Sequence, residues 1–71
     1  MKQYDFRTLL EAPLAWHETE DPDRPWAARL HGRKLSLLLN EYPGDPLYSL
    51  EVERRVVGML DDWPEIWTRD W

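Results

Sequence analysis

The side chains able to do chemistry in this chain are few. It has no Cys, two His (His17 and His31), and serines only at 36 and 49. Nucleophilic catalysis needs a hydroxyl or thiol beside a base that a third group orients. Ser36 and Ser49 fall inside runs that read as strands, with no Gly-rich elbow at either, so both are assigned to the polar side of a strand. Metal binding needs convergent ligands. His17 with Glu18, Glu20, Asp21 and Asp23 makes an acid-rich stretch, but an EF-hand also requires a Gly and a distal Glu at fixed spacing. Asp21 and Asp23 match the opening of that pattern and Arg24-Pro25 breaks it. The two His lack the spacing of a zinc site. Of the carboxylate pairs, Asp61 and Asp62 point apart if they end a strand. Glu51 and Glu53 share one face of a strand, opposite Leu50 and Val52, which reads as a solvent face. No catalytic residue, cofactor or metal ligand is assigned, and the reading is a protein that is not an enzyme.

The tryptophans carry the stronger signal, five in 71 residues. Each ring can bury about 150–250 Å², which a short chain without disulfides needs for its core. Trp26 and Trp63 read as core. Trp67 and Trp71 stand near the end of the chain, where they either close the core or meet a partner as hot-spot aromatics. Acids surround them and recur in the 17–25 stretch. The candidate partner-binding set is therefore Trp67, Trp71, Asp61, Glu65, Glu20, Asp21 and Asp23, an acidic, aromatic-edged surface suited to a basic protein partner.

Composition narrows the field. Fourteen Asp and Glu against nine Lys and Arg give a net charge of −5, which argues against direct nucleic-acid binding. No apolar run approaches the roughly 18 residues of a membrane span, so a soluble, cytoplasmic protein is expected. The length fits one domain, residues 1–71. Function is not legible beyond a class. The first expectation is a small acidic protein-binding module, an immunity-type inhibitor or regulator. The alternatives are carbohydrate or small-ligand binding on exposed Trp rings, and a structural homo-oligomer joined through a free edge strand, for which the Leu-rich residues 35–39 are suited.

The elements that must position these groups are two hairpins and two short helices. Trp26, Ala28 and Leu30 alternate with polar residues, as do Leu35, Leu37 and Leu39, so residues 26–40 form a hairpin. A Gly32-Arg33 loop, pairing Leu30 with Leu35 and Trp26 with Leu39, is preferred to a His31-Gly32 loop because it puts Gly first, as a type II′ turn requires. Pro43-Gly44 turns the chain into a second hairpin over residues 47–61, with Tyr48, Leu50 and Val52 on one face. Gly58 within its second strand points to a bulge or the close approach of another side chain. Residues 5–12 read as a helix capped by Asp5, residues 14–18 as a further strand, and residues 18–25 as a loop. Asp62-Trp-Pro-Glu65 fits a capping box, and a helix starting there sets Trp63, Trp67 and Trp71 on one stripe. The expected fold is α+β: an antiparallel meander of four or five strands with a short helix at each end.

Overall fold

The computed structural model describes residues 5–69. One short helix, α1 (Phe6–Leu10), precedes six strands: β1 (Ala15–Glu18), β2 (Trp26–Leu30), β3 (Arg33–Leu39), β4 (Tyr48–Val52), β5 (Arg55–Leu60) and β6 (Thr68–Arg69). They form one sheet in the order β5-β4-β3-β2-β1-β6. The first five are antiparallel neighbours, and β6 returns to pair parallel with β1. The sheet is thus mixed and has six strands, more than expected. β3 lies in its interior, so residues 35–39 are not an edge.

α1 starts where expected, because the Asp5 carboxylate accepts the Thr8 N–H at 2.8 Å and supplies a partner the first turn lacks. It buries Leu9 and stops before Pro13. The C-terminal helix does not form. One turn, Trp67 N–H to Pro64 O at 3.1 Å, is as far as it goes, and Thr68 N–H then donates to Leu14 O at 2.8 Å, starting β6. A helix this short is marginal alone. Pairing with β1 satisfies the same backbone while bringing Trp63 and Trp67 down onto the sheet.

The two hairpin turns each use two residues, with positive φ at both positions: His31 (53°) and Gly32 (79°), Glu53 (51°) and Arg54 (71°). That is the φ pattern of a type I′ turn, which like type II′ suits the strand twist, and it stands where a Gly-first type II′ loop was expected. The β2–β3 register accordingly pairs Ala28 with Leu35 and Trp26 with Leu37, two residues off the preferred one. The faces are unchanged by a shift of two, and Leu35, Leu37 and Ala28 are buried.

In the second hairpin the bulge changes the outcome. A two-residue turn alone would set Met59 opposite Tyr48. Instead Glu51 pairs with Val56 and Leu50 with Gly58, so Val57 is the extra residue and Leu60 arrives opposite Tyr48. Leu60 is buried and Met59 faces solvent.

The sheet has two unlike faces. Ala28, Leu35 and Val52 form one cross-strand row of the core face, and Trp26, Leu37, Leu50 and Gly58 form the next. α1, Leu14 and the segment carrying Trp63 and Trp67 cover this face. Gly58 is required there, since a Cβ on it would lie inside the contact distance of the Phe6 ring. Replacing Gly58 with Ala should cost about 1–3 kcal/mol, the usual penalty of overpacking. Much of that loss should return in the Phe6→Leu/Gly58→Ala pair. Urea midpoints of the four chains measure this, and additive losses would contradict the contact.

Candidate functional site

The strand registers sort the charges along the sheet. The β2–β3 and β4–β5 turns lie at one end, carrying Arg29, Arg33, Lys34, Arg54 and Arg55 with Glu53 among them. The β1–β2, β3–β4 and post-β5 connections lie at the other, carrying Glu18, Glu20, Asp21, Asp23, Glu41, Asp45, Asp61 and Asp62 with Arg24 among them. All but Arg24 are exposed. The charge blocks that alternate along the chain are therefore gathered by antiparallel folding into a basic end and an acidic end. The −5 of the whole chain conceals this separation.

At the acidic end the 19–25 loop holds its own shape. Thr19 Oγ1 donates to Arg24 O at 2.6 Å and accepts from Asp21 N–H at 3.1 Å. Asp21 Oδ1 accepts from Asp23 N–H at 2.9 Å, and Thr19 N–H donates to Pro25 O at 2.9 Å. Local bonds of this kind let Thr and Asp order a turn without neighbouring strands. One side chain then fixes the loop to the sheet: Arg24 Nε donates to Glu51 Oε1 at 2.8 Å. Glu51 lies on the face opposite Leu50, in the row Ala27–Ser36–Glu51–Val56. It is only 5% exposed, so this position is not the solvent face that the alternation of Glu51 and Glu53 implied. The Glu51 hydrogen bond and charge, aided by Asp21 and Asp23, raise the Arg24 pKa above its ordinary value, against desolvation. The guanidinium stays charged at any working pH.

Between this loop and the end of β3 runs an open groove of about 650 Å³, lined by Pro22, Asp23, Arg24, Leu38, Leu39 and Glu41. Its lining sets the acids Asp23 and Glu41 beside Arg24 and the β3 residues Leu38 and Leu39, of which Leu39 is 53% exposed. Across from the loop, Asn40 orders the β3–β4 connection. Its Nδ2 donates to Pro46 O at 2.8 Å and its Oδ1 accepts from Ser49 Oγ at 2.7 Å. Ser49 therefore has a structural partner, and Ser36 is buried beside it on the same face.

Of the expected partner-binding residues, Glu20, Asp21, Asp23 and Asp61 lie at the acidic end, and Glu65 and Trp67 lie on the segment over the core face. Glu20, Asp21 and Asp23 are exposed on the loop that Arg24 anchors to the Glu51 face. Glu65 is exposed on the segment that covers the core face. Asp61 is exposed at the end of β5, where its Oδ1 accepts from Leu47 N–H at 3.1 Å. Trp67 is 5% exposed and its Nε1 donates to Leu9 O at 3.0 Å, so its ring belongs to the core and presents no aromatic surface. Trp71 lies outside the described residues. The groove residues Leu38, Leu39 and Glu41 were missed, because only the packing of the 19–25 loop brings them beside Asp23.

Among the described residues, no three His, Asp or Glu side chains converge in a way that could hold a metal ion. No described helix is long and apolar enough to cross a membrane. Comparison with protein-family models, with curated proteins and with solved structures finds no match.

The Arg24–Glu51 pair should behave as one unit. Removing the cation strands a carboxylate in a buried position, so Arg24→Ala should lower the melting temperature more than Glu51→Gln does. Adding Glu51→Gln to Arg24→Ala should recover part of the loss. Thermal unfolding of the four chains gives the coupling, and strict additivity would contradict the anchoring role.

Proposed function

We propose that this chain is a small non-enzymatic protein-binding module that receives a basic segment of a partner protein at its acidic end. An immunity-type inhibitor or a small regulator works in this way. The observation that carries the reading is the gathering of exposed acids at one end of the sheet, around a groove lined by Asp23, Glu41, Leu38 and Leu39, beside a loop held in place by Arg24 and Glu51. Clustered exposed acids steer a basic partner during encounter, and a partly apolar contact then retains it. Ordering of the loop before binding lowers the entropy lost on association.

Ring stacking on a sugar or base is the weaker reading. Trp16 and Trp67 are buried, and Trp26 and Trp63 are half-buried with their rings packed edge-on to one another at 5.7 Å. Such rings have little free face to offer.

The test is affinity capture from the native host on the immobilised protein, run in parallel with an Asp23→Lys/Glu41→Lys variant. The expected result is a specific basic protein retained at low salt, released at high salt, and absent from the variant. Retention that survives the charge reversal would overturn the proposal.

A further inference from the structure

The two edges of the sheet differ. β6 is two residues long, whereas β5 spans six residues and has no strand beyond it among the described residues. A free edge of that length offers unpaired N–H and C=O groups to another strand. Val56 and Met59, both of β5, are 55% and 45% exposed. The strand is also flanked by opposite charges, Arg54 and Arg55 before it and Asp61 and Asp62 after it.

The geometry points to a second copy of this chain as the occupant of that edge, paired antiparallel about a two-fold axis near Met59. Flanking charge decides the orientation. Copies running parallel would set Arg54 and Arg55 against themselves and Asp61 and Asp62 against themselves. Antiparallel copies set cations against acids at both ends of the ladder, and the basic and acidic ends of the whole sheets lie side by side. Register follows from the bulge. With Met59 opposite Met59 of the second copy, Gly58 faces Leu60. Val56 and Val57 then share one position across from Asp61, because the bulge holds an extra residue. Arg55 thereby comes opposite Asp62 of the second copy. The contact is isologous and closed, the commonest form of homo-oligomer, and it joins two sheets into one of twice the width. It leaves the groove at Asp23 and Glu41 open, so it stands independently of the proposed partner binding.

Light scattering on the full chain across a dilution series, at low salt, reads the mass. The expected result is a concentration-dependent rise from 8.6 kDa toward twice that value. Arg55→Glu and Asp62→Arg should each weaken the dimer about tenfold. Their combination, which restores opposite charge across the axis, should recover it. Met59→Lys should leave a monomer with an unchanged far-UV spectrum, since the side chain is exposed at the new seam. A single-chain mass at every concentration would overturn the inference. So would a dimer indifferent to Arg55→Glu, a double variant no better than its parents, or assemblies that grow past two copies. The Asp23→Lys/Glu41→Lys variant should keep the dimer mass, which separates failure here from failure of the partner-binding reading.

Discussion

The fold depends on one aromatic cluster, and Trp63 is its centre. Its ring lies 6.0 Å from Trp16 of β1, 5.7 Å from Trp26 of β2, 6.0 Å from Tyr48 of β4 and 5.9 Å from Trp67. Trp16 and Trp67 close the group at 5.1 Å, and the Arg69 guanidinium stands 4.6 Å over the Trp63 ring. Most of these pairs are edge-to-face, the arrangement in which a positive ring edge meets a negative ring face. The result spans the sheet from β1 to β4 with residues that belong to the last turn of the described chain. Without it, Leu35, Leu37 and Leu50 would lose much of their cover. The cluster has a polar cost too, since the buried Trp16 Nε1–H finds no hydrogen-bond acceptor among the described residues.

Much of this architecture was legible because it is local. Period-two alternation in residues 26–30 and 33–39 declared both strands and their faces, and Asp5 declared the start of α1. Gly58 announced the two things that occur there, a bulge and the approach of the Phe6 ring. What stayed hidden depends on pairings between distant residues. The Asp62 capping box is a sound helix signal, but Thr68 N–H meets Leu14 O across 54 residues and Trp67 Nε1–H meets Leu9 O across 58. Those tertiary bonds, with the ring burial they accompany, outweigh a local capping preference of about 0.5–2 kcal/mol. The same reason hid Glu51. Alternation placed it on the face opposite Leu50 correctly, and nothing nearby signalled that Arg24 would reach over and bury it.

Net charge described this protein poorly, and topology describes it better. Antiparallel strands return every second connection to the same end of the sheet. Basic residues in the β2–β3 and β4–β5 turns and acids in the other connections then separate along the strand axis. A molecule built so carries a strong directional field on a modest total charge. It also divides its labour by face. Aromatic and aliphatic groups hold the fold together on one side of the sheet. On the other, Glu51 and Arg24 hold a loop whose acids remain in water, so the proposed binding surface is anchored without sharing residues with the core.

Trp63 binds the C-terminal segment to the sheet and thereby completes the core. Denaturant unfolding of Trp63→Ala, followed by far-UV circular dichroism beside Trp63→Phe, tests this. Loss of the hub ring should cost about 3–5 kcal/mol. A chain this size has roughly 4–11 kcal/mol to lose, so Trp63→Ala should approach the loss of a cooperative transition. Trp63→Phe, which keeps a ring in place, should retain most of the stability. A Trp63→Ala chain that unfolds within about 1 kcal/mol of the parent would contradict the account.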